Sequence, residues 1–504
     1  MPQFDSAILG IYRPNSAHAG KAQYRRHMAQ IMWFRRDLRI GDNPALAEAI
    51  KRTEQDGQAQ LAAVYVLGPR TWAAMSSVQK HYLMASLAKL DESLGGHLIF
   101  KYGDAKAVIP KLAKDLSASA VHIAVAHTPH AIARDAAVAQ LLAEQDIEFV
   151  PTGSAYAVAP GRVTKADGTY YKVYTPFYKN WLVHGWRGPA PAPTHWPVWV
   201  DQIISDPLPE LPPLEGLDLP VAGEAAALER WEYFKKSGLA DYNELRNRPD
   251  LDGTSILSTA LRFGEVHPRT LLADLGDDPG HVTYRKEIAW REFYADILFQ
   301  RPDTLAGYYN KAYEAMAYDS GTIAQQRFIA WTQGQTGYPL VDAGMRQLRT
   351  TGWMHNRVRM VVASFLVKDL HLEWTLGAQH FEQWLTDFDP ASNSHGWQWT
   401  AGCGTDASPY YRVFNPVGQG IKFDPNGDYI RKYIPELRHI SGAAAHEPWL
   451  VEDGHAHGYP KPIIDHAAER IVALDRLAKL PKGQVQIGAP DKDVDQAQLI
   501  QSFE

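Results

Sequence analysis

The chain reads as an α/β protein in two parts, an amino-terminal doubly wound parallel five-stranded sheet and a larger all-helical domain. Three observations predict this. Short apolar runs alternate with helix-period segments as far as about residue 154, a proline-rich stretch follows, and beyond about residue 225 the period is helical with many tryptophans and tyrosines. A length of 504 residues also exceeds what one core usually organises, so more than one domain is expected.

The strand-like runs are Ile31–Phe34, Leu61–Val66, His97–Tyr102, Val121–Ala126 and Ile147–Pro151, with helix-period stretches such as Ser77–Leu94 and Ala131–Glu144 between them. Strands that alternate with helices pair in parallel and are covered on both faces. A ligand is expected beyond the carboxyl ends of such strands. No GxGxxG follows the first run, so a dinucleotide site of that kind is not expected there. Pro189, Pro191, Pro193, Pro207, Pro209, Pro212 and Pro213 mark the next stretch as a long connector. The expected organisation is an extension over 1–28, the α/β domain over 29–154, a linker over 155–225, the helical domain over 226–480 and a polar tail over 481–504. Residues 1–27 lack the apolar core of a signal peptide, and Met28 could serve as the start.

Composition narrows the function. A hydrophobic share of 45% with 21% charged residues describes a soluble globular chain, and no apolar run is long enough to cross a bilayer. A formal charge of −6 argues against coating nucleic acid by bulk electrostatics, although a local basic footprint is compatible with it. The one cysteine, Cys403, excludes an intramolecular disulfide and a multi-cysteine metal site, and suggests a reducing compartment. The histidines show no metal-ligand spacing, so no metal is expected.

Three constellations carry chemistry. Gly253-Thr254-Ser255-Ile256-Leu257-Ser258, after Tyr242, offers hydroxyls and backbone N–H groups to a phosphate at a helix start, although such residues commonly serve only as caps. In Tyr284–Tyr294, Glu287, Trp290 and Arg291 share a helical face, where a ring could stack on a heterocycle while the carboxyl holds its edge. The richest stretch, Trp353–Trp399, holds five of the fifteen tryptophans. On a helix its Trp353, Asn356, Arg357 and Met360 would share one face, with Arg359 and Asp369 as a buried pair. Arginines and an asparagine among apolar neighbours would cost several kcal/mol if buried without partners, about the charge-burial penalty, so this face points to a ligand.

The order of these segments resembles the photolyase/cryptochrome flavoprotein family, nearest to its class I branch for cyclobutane pyrimidine dimers. The resemblance runs from Met32 to about Leu437 and rests on Trp33-Phe34-Arg35-Arg36-Asp37-Leu38-Arg39, Thr336-Gly337-Tyr338-Pro339-Leu340-Val341-Asp342-Ala343 and Gly404-Thr405-Asp406. It implies light-driven DNA repair: excited, fully reduced FAD gives an electron to a dimer flipped out of the duplex, and the cyclobutane bonds split. A blue-light photoreceptor of the cryptochrome type is the alternative. The resemblance implies FAD contacts from Tyr242, Thr254, Ser255, Leu257, Ser258, Tyr284, Arg291, Asn356, Arg359, Asp387 and Asp389, with Asp369 orienting Arg359. Asn393 falls at the position facing the flavin N5, where plant-type cryptochromes have aspartate.

By the same matching, Glu287 would hydrogen-bond the dimer bases, Trp290 and Trp399 would form stacking walls, and Asn356 and Met360 would complete the pocket. Arg357, Arg412 and Arg246 are implied phosphate contacts. His355 is followed by Asn356 where photolyases for the (6-4) lesion carry a histidine pair, which favours the cyclobutane dimer. Trp397 and Trp374 match the first two members of the family's electron path. No tryptophan stands near 318–321, where the third is expected; Tyr318 is the nearest aromatic, with Trp331 and Trp384 as substitutes. A second, antenna chromophore is a further expectation. His130-Ala131 stands where folate-binding relatives have Asn-Glu, which disfavours folate and leaves a deazaflavin, a flavin mononucleotide or an empty site open. The expected setting is a cytoplasmic monomer acting on UV-damaged DNA.

Overall fold

The structure is a computed structural model that describes residues 29–201, 203–214, 216–406 and 411–481. The expected extension 1–28 and the tail from 482 onward lie outside the described residues.

The sheet comprises β1 (Ala29–Phe34), β2 (Gln60–Leu67), β3 (Leu98–Tyr102), β4 (Ala118–Val125) and β5 (Glu148–Ser154), in the order β3-β2-β1-β4-β5. All four pairings are parallel. The helices that follow successive strands are α1 (Pro44–Asp56), α2 (Ser77–Ser93), α3 (Ala105–Asp115) and α4 (Pro129–Ala143). Successive residues of β1 feed opposite faces, as the two-residue repeat of a strand requires. Met32 and Phe34 pack with Leu46 of α1 and Leu83 of α2, whereas Ile31 and Trp33 pack with Ile109 of α3 and Val138 of α4. Every residue of β1 is buried. The expected doubly wound sheet is therefore the one the chain adopts.

The order reverses between β1 and β4, which opens a crevice at the carboxyl ends of those strands. The arginine-rich segment after β1 emerges there and is occupied by ion pairs. Arg35 meets the buried Asp135 at 2.6 Å, and Arg36 reaches across to Asp389 at 2.8 Å. Arg39 donates to the carbonyl of Gly264 at 2.9 Å. Gly264 has φ 73°, and a Cβ there would lie 2.0 Å from the Arg36 carbonyl oxygen, so only glycine lets the two backbones meet.

The proline-rich connector first forms α5 (Tyr174–His184), whose Phe177 and Trp181 are buried against the helical part. It then returns to the sheet, where Leu61 donates to the Val198 carbonyl at 2.8 Å and Val200 donates to the Leu61 carbonyl at 3.0 Å.

The helical part supplies α6 (Ser258–Phe263), α7 (Pro279–Gln300), α8 (Pro339–Thr351), α9 (Asn356–Ser364), α10 (Trp374–Trp384) and α11 (Pro390–Ala401). Their starts follow local chemistry. Asp389 caps α11 by accepting from the N–H groups of Ala391 and Ser392, with Pro390 in the first turn. His355 caps α9 through Nδ1, which accepts from Arg357 N–H at 3.1 Å. This cap corrects one expectation: α8 ends at Gly352 and α9 begins at Asn356, so Trp353 lies in the turn and does not share the helical face of Asn356, Arg357 and Met360. Thr254, Ser255 and Leu257 lie just ahead of α6, which starts at Ser258 with Leu257 at its cap position. α9 runs on into a π-helical turn, Phe365–Asp369. Among the described residues no helix is long and apolar enough to cross a membrane.

Candidate functional site

A cavity of about 410 Å³ opens among α6, α7, α9 and α11. Each helix contributes by its own repeat. From α7 come Glu287, Trp290 and Arg291, at i, i+3 and i+4. From α9 come Asn356, Arg357, Arg359 and Met360. α11 and the turn before it give Asn393, Trp397, Trp399, Asp387 and Asp389. Tyr242, Ser255, Ser258 and Tyr284 bring hydroxyls, and Arg246 completes the set of expected residues on the wall.

Four expected site residues are not on that wall. The Thr254 carbonyl accepts from Arg230 at 2.6 Å, and Leu257 is buried in the adjoining core. Trp374 is buried one layer out, and the carbonyl of Arg412 accepts from Lys368. The expected Arg359–Asp369 pair is also absent. Arg359 meets Asp387 at 2.7 Å and donates to the Met354 carbonyl at 2.8 Å, whereas Asp369 meets His466 at 2.5 Å. Asp369 ends the π-helical turn, and the helical rise over the residues between it and Arg359 sets the two roughly 15 Å apart along the axis, out of ion-pair reach.

The wall is electropositive. Five arginines (Arg246, Arg262, Arg291, Arg357 and Arg359) face three carboxylates (Glu287, Asp387 and Asp389). Burial opposes the charge on Asp389, yet Arg36 and Arg291 hold its carboxyl far below the usual range. Burial, then the neighbouring Arg36, pushes Arg262 down to about 10. Arg357 falls likewise to about 10 by burial and the nearby Arg246. Burial and the arginines Arg357, Arg359 and Arg246 push His355 down to about 3, so it is neutral and free to act as the α9 cap. Asp387 retains a buried oxygen, Oδ1, with no protein partner. An excess of cations, a cluster of hydroxyls and an orphaned acceptor suit a dianionic ligand with donors of its own, such as a dinucleotide diphosphate.

Arg262 and Arg36 escaped the reading from sequence. Arg262 stands four residues after Ser258 on α6, a spacing that puts both on one face and could have revealed it. Arg36 belongs to the amino-terminal motif, but nothing local shows that its partner is Asp389, far along the chain.

At the mouth, Arg246 and Glu287 form an ion pair of 2.7 Å. Burial disfavours the guanidinium charge, but Glu287 keeps Arg246 above its ordinary value. Arg357 donates to Asn247 Oδ1 at 2.8 Å and its guanidinium lies 4.5 Å from the Phe423 ring centre. The Asn393 amide is oriented by donating to the Ala378 carbonyl at 3.1 Å. The other side of Trp397 is apolar: its ring meets Phe381 at 5.0 Å and Trp331 at 6.2 Å. Trp374 meets Tyr308 edge-on at 5.9 Å. The Tyr308 hydroxyl donates to Glu373 at 2.9 Å and lies 3.3 Å from that of Tyr318.

Residues 30–197 match the family model described as DNA photolyase, and residues 284–479 match the FAD binding domain of DNA photolyase. A deoxyribodipyrimidine photo-lyase of Alkalihalophilus pseudofirmus is 38% identical over 468 residues, covering 88% of this chain and 97% of the relative. A bacterial class III photolyase from Agrobacterium tumefaciens superposes with a TM-score of 0.79 at 34% identity, over 92% of this chain and 99% of that one. A cryptochrome from Synechocystis superposes with a TM-score of 0.80 at 28% identity, over 89% of this chain and 99% of that one.

Proposed function

Because the chain belongs to the DNA photolyase family, we propose that its cavity binds FAD and a flipped pyrimidine dimer side by side, and that light drives splitting of the dimer. The enzyme is a deoxyribodipyrimidine photo-lyase, a light-dependent DNA repair lyase. FAD in its reduced form, excited by light, would supply the electron that opens the cyclobutane ring and take it back afterwards.

The observation that carries this reading is the union in one cavity of an electropositive, hydroxyl-lined interior with an aromatic mouth holding the Arg246–Glu287 pair. Arg291, Arg359 and Arg262, with Ser255, Ser258 and Tyr242, are suited to the diphosphate end of FAD. The amide of Asn393, fixed on Ala378, would stand beside the isoalloxazine ring. An amide there can donate or accept without adding negative charge, which suits a reduced flavin.

Trp290 and Trp399 would stack on the dimer from two sides, with Asn356 and Met360 closing the floor. Glu287 would hydrogen-bond the bases, and its ion pair with Arg246 orients that carboxylate. Arg357, and Arg412 outside the cavity, would contact phosphates flanking the lesion. Those contacts position the strand without reading sequence.

Electrons to reduce the flavin would pass inward through Trp374 and Trp397. Tyr308 and Tyr318, beyond Trp374, would stand where the tryptophan path otherwise ends, while Trp331 touches Trp397 and forms a side branch. Repair of DNA by a monomer in the cytoplasm completes the reading, with a deazaflavin, a flavin mononucleotide or an empty antenna site as the alternatives against the sheet. The domain limits follow the same division, with a sheet unit over 29–154, a connector over 155–225 and a catalytic unit over 226–480. Absorption of the purified protein in excess of its FAD would identify the antenna.

The deciding experiment is blue-light repair of single- and double-stranded oligonucleotides that contain a cyclobutane thymine dimer, with the flavin fully reduced. Loss of dimers only under light is expected. Persistence of the dimers would sink the enzyme reading in favour of a photoreceptor, whose fold is shared.

A further inference from the structure

The Gly404-Thr405-Asp406 motif lies against the backbone of Trp399 and reaches the other tryptophan wall, Trp290, through Tyr174. It forms the turn that ends α11. The N–H groups of Cys403 and Gly404 both donate to the Gln398 carbonyl at 3.0 Å, which folds the turn back on the residue preceding Trp399. A Cβ on Gly404 would lie 2.8 Å from the Trp399 nitrogen, so any side chain there would press on the backbone of that wall.

The next two residues reach the connector. Thr405 Oγ1 donates to the Lys172 carbonyl at 2.7 Å, and the Tyr174 N–H donates to Asp406 Oδ2 at 3.1 Å. Asp406 has φ 50°, a left-handed conformation that residues other than glycine seldom adopt without a reason. Held in this way, Tyr174 lies flat against Trp290, with ring centres 3.7 Å apart and planes 7° from parallel. Its hydroxyl donates to the Lys286 carbonyl at 2.7 Å, next to Glu287 on the same helix. Phe293 meets Trp290 edge-on at 5.6 Å and Tyr294 meets it at a tilt at 5.4 Å. Those contacts restrain the ring sideways, whereas the Tyr174 stack sets its plane.

We infer that Tyr174, Thr405 and Asp406 are positioning residues that fix the separation and tilt of Trp290 and Trp399, and so tune the pocket to a dimer of two pyrimidine rings. The inference rests on the proposed repair function. One turn braces the Trp399 backbone directly and the Trp290 ring through Tyr174, so the two walls are set from a common support. A stacking site gains most when its rings need no reorganisation on binding. Undamaged DNA, which leaves the pocket empty, does not sense the brace.

The test uses the FAD-loaded protein and two oligonucleotides that differ only in one cyclobutane thymine dimer, with affinities measured in the dark. Tyr174→Leu is expected to weaken dimer binding by about tenfold, the worth of one aromatic stack, while affinity for undamaged DNA and FAD content stay at their original levels. Tyr174→Phe keeps the stack and should recover the dimer affinity to within about twofold. Unchanged dimer binding by Tyr174→Leu would overturn the inference. So would an equal loss for both oligonucleotides accompanied by loss of FAD, because that pattern marks a purely structural residue. If Tyr174→Leu fails to fold, Asp406→Ala should lower dimer affinity alone, with Asp406→Asn, which keeps an acceptor for the Tyr174 N–H, recovering it. An unaltered protein with no preference for the dimer would overturn the repair function itself.

Discussion

Trp290 and Trp397 line the same cavity, and their surroundings differ in almost every respect. Trp290 stacks on Tyr174 and shares its helix face with Glu287 and Arg291, beside the Arg246 guanidinium. Trp397 stands among Phe381 and Trp331 in the largest apolar cluster, with Trp374 in the same cluster. The ring is the same; its polar company is not. A ring beside a charged pair can hold a polar heterocycle by its face and edge together, whereas rings packed on rings exclude water and offer a relay for charge. The lesson is that aromatic residues acquire their task from the nearest charges.

That contrast can be broken most sharply at Trp397. In Trp397→Phe, photoreduction of bound oxidised FAD should drop by at least about a hundredfold, if one lost relay raises the barrier by roughly 3 kcal/mol. Dimer binding should be preserved. Undiminished photoreduction in absorption measurements would move the relay elsewhere, with Trp331 the first candidate. Next in size, Glu287→Ala should lower repair yield by about tenfold, the worth of a charge-assisted hydrogen bond, while FAD remains bound. Loss of flavin from that variant would show Glu287 to be a structural partner of Arg246 alone.

A smaller effect is expected from Arg357→Ala. Removing one phosphate contact should reduce the slope of log affinity against log salt concentration by about 0.9 for double-stranded DNA. An unchanged slope in a salt titration would assign Arg357 to its contacts with Asn247 and Phe423. A last test, read on stability and not on activity, sharpens the apolar side of the comparison. Lys368 is buried there, with its ammonium 4.3 Å from the Tyr411 ring centre, and burial pushes it down to about 7. Between that value and the ordinary lysine range the unfolded chain holds a proton that the folded chain has released. Stability should therefore rise with pH from about 7 towards 10 and decline on acidification through that window. Lys368→Met should flatten this dependence in urea titrations at several pH values.

The parts of the site that share one helix were legible in the sequence. Glu287, Trp290 and Arg291 fall on one face by spacing alone, and they line one wall. The sheet was legible because its strands are short apolar runs between helix-period segments, and its five strands start and end within about three residues of the expected limits. Arg36 was not, because its meaning depends on Asp389, a partner that only the tertiary fold brings near. The resemblance pairs Asp369 with Arg359, but both stand on one continuous helical run that spaces them roughly 15 Å apart, and Asp387 takes the guanidinium instead. Trp353 failed for a different reason, a break between two helices. Gly352 in a left-handed conformation stops one helix, and the His355 cap starts the next beyond the tryptophan. Spacing within one helix was legible, whereas a helix break and partners from elsewhere in the fold were not.

The surplus of arginine over carboxylate around the cavity also bears on how the chain comes to be made. Like charges confined at short range repel, and a dianionic guest would relieve that repulsion while joining α6, α7 and α9. Newly synthesised chains that meet FAD early should then pass quickly into a protease-resistant form, and those made during flavin shortage should linger as targets for degradation. Under this view, cellular riboflavin supply would set the abundance of the protein as well as its catalytic competence.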